Sequence, residues 1–394
     1  MTIAAAIDSR RAEAPARSRT GRIARVHVIG DLAEAETVWR ELETRQLATS
    51  YQRFDLLSNW QREVGAREGA LPFIVIAADA DGRPLMLLPL ALRRERGIRI
   101  ASFMGGKHAT FNMAVCDRDF ARDATAADLA AVVSALHAKD AADVLALTQQ
   151  PRRWQDGLNP LAVLPKQHSV NDCPVLTMVP GDPPANWISN SFRRRLKSKE
   201  RKLQSPGYRY HIADSDADIE RLLNWFFHVK PMRMAEQKLP DVFAEPGVED
   251  FIRKACRAKL AGGGHAIDIH ALECDDEVIA IFAGVADGHR FSMMFNTYTM
   301  SSRSRYSPGL ILMRNIIDYY AERRYRALDL GIGSDEYKRL FCKGDEPIFD
   351  SFIPLTARGK IAAAAMSTIS RAKRLVKHNQ MLLHVAQRLR RALH

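Results

Sequence analysis

A repeated order of predicted secondary structure constrains the fold of this chain more than any other feature. Between residues 23 and 147, the apolar patterns predict a strand, an amphipathic helix, three strands, a second helix and a further strand. The same order returns between residues 208 and 354. A repeated order of elements is typical of two copies of one fold, even without residue identity. The sequence therefore predicts an α/β (α+β) protein with two domains, each a mixed, mainly antiparallel sheet flanked by helices.

The distribution of charge and of polar residues indicates where these domains begin and end. The 394 residues carry a formal net charge of +12, but nine Lys/Arg and no acidic residue occur in residues 357–394, and six Arg occur in residues 1–25. The part of the chain between these ends is therefore close to neutral. We predict a disordered basic arm (1–22), a first domain (23–150), a Pro-rich polar connector (151–186), a second domain (187–356) and a basic amphipathic C-terminal helix (357–394).

These basic ends also indicate the kinds of partner that the protein has. A neutral body argues against nucleic acid as a partner, because a nucleic-acid site needs a basic surface on the folded domain. In residues 357–394, apolar residues recur at helical spacing among basic ones, a pattern that can lie on anionic lipid. The sequence predicts peripheral contact of this segment with the inner face of the plasma membrane; a disordered or partner-docking tail is the alternative.

Apolar runs and cysteines narrow the class of protein further. No apolar run approaches the ~18–20 residues of a membrane-spanning helix. The five cysteines are far apart and form no CxxC pair, which argues against a disulfide scaffold or a zinc ribbon and favours a reducing compartment. The scattered histidines predict no shared metal site. We therefore expect a cytoplasmic protein without a bound metal.

A candidate anion-binding site lies where a predicted strand leads into a helix. Ser307 suits the N-cap, Pro308 suits the first helical position, and Gly309 lets a ligand approach the backbone closely. Exposed N–H groups and the helix dipole favour a phosphate here, and Arg303 and Arg305 add positive charge. An ordinary capped helix with solvated arginines is the alternative.

Three segments of the chain resemble the GNAT N-acetyltransferase superfamily, and in detail its CelD/BcsL type, which is associated with bacterial cellulose and exopolysaccharide production. They are SPGLILMRNIIDYYAERRY (307–325), LDLGIGSDEYKRLF (328–341) and SFRRRLKSKERKLQSPG (191–207). The resemblance covers residues 25–355 and is specific over 187–355. It implies tandem GNAT-like domains and direct transfer of an acyl group, acetyl from acetyl-CoA, to a hydroxyl or amine of a sugar or lipid-linked saccharide.

The resemblance also implies which residues hold the acetyl-CoA. In this superfamily, backbone amides at the start of the helix hold the pyrophosphate, and the preceding strand supplies backbone groups to the pantetheine and thioester. One glycine follows Arg305, where the family's loop reads RxxGxG/A. Carried over by position, the cofactor-binding residues are Arg305, Tyr306, Ser307, Pro308, Gly309, Leu310 and Phe295.

Tyr337 and Lys338 form the candidate catalytic pair. A tyrosine beside the thioester sulfur could protonate the departing thiolate, and a lysine could stabilise the oxyanion or contact phosphate. The alternative is an amphipathic helix with Tyr337 packed inward and Lys338 solvated. Asp329 and Glu336 are candidate bases for the acceptor, or else ordinary turn and capping carboxylates.

Two further features have both a functional and a structural interpretation. The basic block 193–202 could bind a phosphate of the acceptor or of CoA, although such runs are more often a solvated helix face. His108, near Gly105 and Gly106, could line an acceptor cleft between the domains, but a loop histidine without a role is favoured.

Two other functions remain open at this point. A Fem-like aminoacyl or peptidyl transferase also uses tandem GNAT folds, but the helical hairpin expected for tRNA handling has no counterpart here. A non-catalytic GNAT-like assembly protein for exopolysaccharide synthesis is favoured by the single glycine, whereas Tyr337 and Lys338 favour an acyltransferase.

Overall fold

The computed structural model describes residues 21–45, 47–183, 186–333 and 336–379. Its strands are β1 (Arg25–Ile29), β2 (Leu71–Ala78), β3 (Pro84–Glu95), β4 (Ile98–Phe103), β5 (Val115–Cys116), β6 (Val144–Pro151), β7 (Arg153–Trp154), β8 (Gly157–Leu158), β9 (Gln167–His168), β10 (Cys173–Thr177), β11 (Arg209–Ile212), β12 (Asp268–Cys274), β13 (Glu277–Ala286), β14 (Arg290–Tyr298), β15 (Ala327–Asp329), β16 (Gly344–Glu346) and β17 (Ile348–Pro354). Its helices are α1 (Leu32–Arg45), α2 (Phe54–Trp60), α3 (Arg118–Asp123), α4 (Ala126–Ala138), α5 (Asn190–Arg201), α6 (Asp216–Glu236), α7 (Val248–Arg257), α8 (Pro308–Glu322), α9 (Glu336–Arg339) and α10 (Ala357–His378).

Two mainly antiparallel sheets form the two halves of the molecule. The first has the strand order β1-β2-β3-β4-β6-β17-β9, and the second has the order β11-β12-β13-β14-β15-β10-β16. Within each path, the fourth and fifth strands are parallel, β4 with β6 and β14 with β15, and the other pairs are antiparallel. This confirms the predicted fold class of two mixed, mainly antiparallel sheets flanked by helices.

Each sheet takes a strand from the other half of the chain. β17 lies in the predicted second domain (187–356), yet it pairs with β6 of the first sheet. β10 lies within the predicted connector (151–186), yet it pairs with β15 of the second sheet. Both strands cross the domain boundaries that the sequence predicts. Neither sheet is therefore complete without the other half.

Two large apolar clusters hold the helices against the sheets, and a third, small one lies beneath α10. The larger one joins the first sheet to the α6 and α7 side of the second sheet, with Trp39, Trp60, Phe226 and Phe251 almost fully buried. The smaller one lies beneath α5 and α8. Because α8 packs between α5 and the second sheet, its first turn is fixed beside the end of β14.

Several other predictions concern the ends of the chain and its compartment. The helix α10 occupies Ala357–His378 of the predicted C-terminal segment (357–394), while residues 380–394 and residues 1–20 of the predicted arm lie outside the described residues. All five cysteines are buried free thiols. No helix in the described ranges is both long and apolar enough to cross a membrane.

Candidate active site

A cavity of about 620 Å³ lies between α6, β14 and the first turn of α8. The parallel pairing of β14 with β15 ends at Ser292 and Asp329, and the residues of β14 beyond this point line the cavity. The lining residues are Lys230, Arg233, Met234, Gln237, Leu239, Phe243, Phe282, Met293, Met294, Phe295, Asn296, Thr297, Tyr298, Ser304, Ser307, Gly309, Leu310 and Tyr337. Of the predicted site residues, the structure thus brings together Phe295, Ser307, Gly309, Leu310 and Tyr337.

The first turn of α8 has an unusual backbone at its N-cap. Ser307 occupies the predicted N-cap position with φ 58° and ψ 54°, the left-handed conformation that usually belongs to glycine. Its side chain makes no capping hydrogen bond; instead, Lys199 Nζ donates to Ser307 Oγ over 2.7 Å. Pro308 opens the helix as predicted. A Cβ atom at Gly309 would meet the ring and Cβ of Tyr298 at an ordinary contact distance of 3.5–3.8 Å, and Gly309 lines the cavity.

The charges around this turn favour an anion. Lys199 reaches it from α5, which two sets of ion pairs hold along α8: Arg193 with Asp318 at 2.8 Å and Glu200 with Arg314 at 2.8 Å. A cation beside a helix N-terminus is electrostatically unfavourable unless an anion lies between them, because the helix dipole is positive at that end. The basic block 193–202 therefore contains both structural residues and one residue at the candidate site.

The arginines before α8 have different surroundings. Arg303 pairs with Asp275 at 2.9 Å and with Glu277, so its charge is already neutralised. Arg305 is exposed and its guanidinium lies 4.9 Å from the ring centroid of Tyr306. Neither residue is part of the cavity lining. Arg305 and Tyr306 as cofactor-binding residues therefore stay predictions.

Tyr337 and Lys338 point to different environments although they are adjacent. Tyr337 lines the cavity, and its hydroxyl accepts a hydrogen bond from Asn296 Nδ2 at 3.4 Å. Lys338 is 4 % exposed, and its Nζ donates to the carbonyl oxygens of Gly331 and Ile332 at 3.2 and 2.9 Å. Lys338 thus fixes the position of the loop that follows β15.

The two predicted bases lie away from the cavity lining. Asp329 is fully buried, where it accepts hydrogen bonds from Arg290 Nε at 2.8 Å, Ser292 Oγ at 2.5 Å and the Gly331 amide at 3.1 Å. Glu336 is exposed at the start of α9. A base role for either carboxylate stays a prediction, and this placement offers it no support.

Two basic residues of α6 line the cavity and were missed by the sequence analysis. Lys230 Nζ donates to the Asn296 carbonyl oxygen at 3.0 Å, and the guanidinium of Arg233 lies 3.5 Å from the ring centroid of Tyr298. Burial lowers the pKa of Lys230, nearby Arg233 lowers it further, and Asp241 raises it. Their i, i+3 spacing on one amphipathic helix was the signal that could have identified them. Among the described residues, no carboxylate or imidazole lines this cavity.

The remaining candidate residues already have hydrogen-bond or ion-pair partners within the protein. His108 accepts a hydrogen bond from Trp60 Nε1 at 3.1 Å and packs against Phe251, and burial lowers its pKa. Within the described ranges, one group has metal-ligand spacing: His211, Asp218 and Glu273. Arginines already pair with both of its carboxylates.

Comparisons with known proteins agree with this geometry. Residues 190–339, from the start of α5 to the end of α9, match the sequence model of the Acetyltransferase (GNAT) domain family, so this part of the chain is similar to that domain. No curated protein matches the chain.

Solved structures show the same fold at low sequence identity. The C-terminal domain (DUF2156) of a putative lysylphosphatidylglycerol synthetase from Agrobacterium fabrum is 12 % identical with a TM-score of 0.53, covering 87 % of this chain and 96 % of that one. FemX is 11 % identical with a TM-score of 0.55, covering 86 % and 100 %. A conserved protein of unknown function from Bacteroides thetaiotaomicron VPI-5482 is 11 % identical with a TM-score of 0.52, covering 84 % and 100 %. At this level of identity the likeness shows the fold alone, that of two mixed sheets over most of the chain.

Proposed function

We propose that the protein is an acyltransferase. Its donor is acetyl-CoA, and the acyl group that it transfers is acetyl. One observation carries this proposal: a single cavity joins the open first turn of α8 to Tyr337 along the backbone of β14. The first turn, with Lys199 beside it, suits the pyrophosphate, and Arg233 stacks on Tyr298 close to Gly309. Phe295 and its neighbours on β14 would contact the pantetheine and thioester.

The side chains of the cavity suggest how the transfer proceeds. The acceptor hydroxyl or amine attacks the thioester carbon directly, a bond forms to the acceptor, and the carbon–sulfur bond breaks. Tyr337 would donate its phenolic proton to the departing thiolate. Since no carboxylate or imidazole of the described residues lines the cavity, Lys230 would take the acceptor's proton, for which its lowered pKa suits it.

This assignment of Lys230 has a specific test. A base must be deprotonated to act, so kcat/KM of the wild type should rise with pH through the pKa of Lys230. Lys230→Arg keeps the charge and cannot lose its proton; we expect turnover to fall about 100-fold or more and this rise to disappear. A wild-type pH profile retained in Lys230→Arg would exclude the role.

The acceptor that we propose is a saccharide or lipid-linked saccharide in the cytoplasm. The resemblance of residues 187–355 to the CelD/BcsL type supports it. So do the uncharged polar side chains of the lining, Gln237, Asn296, Thr297 and Ser304, which suit hydroxyl groups. We also propose peripheral contact with an anionic membrane through residues 357–394.

An aminoacyl transferase is the second candidate function. It is favoured by the fold shared with FemX and with the lysylphosphatidylglycerol synthetase domain over 86–87 % of this chain. The two candidates differ in the donor, since one takes acyl-CoA and the other takes aminoacyl-tRNA.

Calorimetry with acetyl-CoA distinguishes the two donors. We expect saturable binding of acetyl-CoA by the wild type. We expect Tyr337→Phe to lower kcat about 100-fold, with little change in the Kd for acetyl-CoA. Tyr319→Phe is the control, because Tyr319 lies outside the cavity lining. Binding of aminoacyl-tRNA, together with no heat from millimolar acetyl-CoA, would replace the first candidate by the second. Binding of neither would favour the non-catalytic assembly role.

A further inference from the structure

The helix α10 has two contrasting faces. Its inner face packs on β17 and β6 through Gly359, Ala363 and Ser370, which are buried. Its outer face carries an uncharged stripe at spacings of three and four residues, which we call the outer stripe. The stripe consists of Ile361, Ala365, Thr368, Ala372 and Leu375, with Ile361 76 % and Leu375 67 % exposed.

Ion pairs fix α10 in this orientation. Arg358 Nε contacts Asp143 at 2.9 Å and Arg374 contacts Asp172 at 3.2 Å, so both ends of the helix are tied to the body. At Gly359, a Cβ atom would lie 1.8 Å from the Asp143 carbonyl oxygen, which shows how closely the first turn approaches β6. The outer stripe is therefore presented outward by a fixed helix.

Basic residues border the outer stripe on both sides. By helical geometry, Lys360 and Arg371 lie on one side of it, and Lys373 lies on the other. No acidic residue occurs anywhere in α10. Lys360 and Lys373 have no ion-pair partner in the part of the chain that the structure describes.

We infer that the outer stripe of α10 binds the surface of an anionic lipid bilayer, with the helix lying parallel to it. The apolar side chains enter the boundary of the acyl chains, and the bordering cations meet lipid phosphates. Against a second copy of this chain, the same borders would bring like charges together, which disfavours a dimer through this face. The inference rests on the membrane contact proposed above for residues 357–394 and assigns it to one face of α10, and it does not depend on acyl transfer.

Sedimentation of the full chain with lipid vesicles tests this inference. We expect binding to vesicles of equal parts phosphatidylglycerol and phosphatidylcholine, weakened by added salt, and little binding to phosphatidylcholine alone. The double variant Ile361→Asp/Leu375→Asp should bind the anionic vesicles about tenfold or more weakly, because it places carboxylates in the apolar stripe.

A matched double variant controls for the added charge. Leu71 and Val179 are exposed to 64 % and 54 % elsewhere on the surface, and Leu71→Asp/Val179→Asp should bind like the wild type. The inference fails if the wild type ignores anionic vesicles, or if Ile361→Asp/Leu375→Asp binds them unchanged. It also fails if the stripe variant instead converts a dimer of the wild type to a monomer without affecting vesicle binding.

Discussion

The two halves contain equivalent helices whose first turns have opposite properties. α4 lies between β4 and β6, and α8 lies between β14 and β15; in each half these two strands are parallel. α4 begins with a capping box, in which Thr125 and Asp128 exchange side-chain and backbone hydrogen bonds. α8 begins with Ser307, whose side chain does not cap, and with a lysine beside it.

The first turn of α4 is closed by its own carboxylate. Asp128 is buried and accepts hydrogen bonds from the amides of Thr125, Arg22 and Ile23, at 2.9 Å from Thr125 and 3.2 Å from Ile23. Burial alone raises the pKa of Asp128, but these bonds and that from the Thr125 hydroxyl outweigh burial, so its pKa is lowered. An anionic ligand has no access to this turn. In the second half, the first turn of α8 has no such carboxylate. The cation of Lys199 lies beside it, where α4 has the anion of Asp128.

The largest effect expected is on Gly309. Gly309→Val places a branched side chain at the open turn of α8, and we expect at least about a 100-fold loss of acetyl-CoA affinity, or roughly 2.7 kcal/mol. Calorimetry measures the loss, and an unchanged thermal midpoint shows that the fold is intact. Ala126→Val is the matched control in the first turn of α4. Retained binding in Gly309→Val would show that the anion site lies elsewhere.

The next effect concerns the closed turn. Asp128→Ala should lower the free energy of unfolding by about 2 kcal/mol, because it leaves buried N–H groups without partners. Since the folded-state pKa of Asp128 is lowered, its contribution exists above the usual carboxyl range and disappears as the pH falls through the folded pKa. Denaturant unfolding of the wild type and of Asp128→Ala at pH 7 and pH 3 measures the loss of stability and its dependence on pH.

A control and a binding measurement complete this test of α4. Asp119 has an exposed carboxylate, and Asp119→Ala should change the free energy of unfolding by less than about 0.5 kcal/mol. Asp128→Ala should leave acetyl-CoA affinity unchanged. An altered affinity would mean that the two first turns are not independent.

A smaller effect is expected for Lys199. Lys199→Met should raise the Kd for acetyl-CoA about tenfold and make binding less sensitive to salt. Without ligand, the same variant should be up to about 1 kcal/mol more stable, because a cation beside a helix N-terminus is removed. Lys197→Met on the exposed side of α5 is the control. Equal affinity in both variants would remove Lys199 from the site.

The smallest effect is expected for Ser307. Ser307→Gly relieves a left-handed backbone but loosens the unfolded chain, so the gain in stability should not exceed about 1 kcal/mol. Ser304→Gly, in a right-handed turn nearby, should instead destabilise by a similar amount. Denaturant unfolding compares them. Destabilisation by Ser307→Gly would show that the bond from Lys199 outweighs the backbone strain.

The left-handed backbone of Ser307 was not predicted by the comparison with the RxxGxG/A loop. The sequence shows one glycine where the family has two, and this favoured a non-catalytic interpretation. In the structure, Ser307 adopts a left-handed conformation, which glycine adopts most readily, and Lys199, over a hundred positions earlier, donates a hydrogen bond to its hydroxyl. A local pattern cannot show this bond, because the partner comes from a distant helix.

Some residues of the candidate site could be predicted from the sequence and others could not, because the partners of the latter come from distant parts of the chain. The strand, Gly309 and Tyr337 follow from local patterns and from the resemblance, and the structure brings them to one cavity. Lys230 was missed, although its spacing to Arg233 was visible, since only the packing of α6 shows which of its faces meets β14. The sequence predicts a catalytic or a solvated Lys338, yet in the structure its Nζ donates to two carbonyl oxygens.

By itself, the sequence determined the alternation of strands and helices, the repeat of their order, the first turn of α8 and the basic, acid-free C-terminal segment. These properties depend on residues that are near one another in the chain, and periodicity and composition record them. The tertiary structure alone decided the exchange of β10 and β17, the burial of Asp329 and the meeting of Lys199 with Ser307. Each of these joins residues far apart in sequence, where pairing depends on complementary packing that no local pattern encodes.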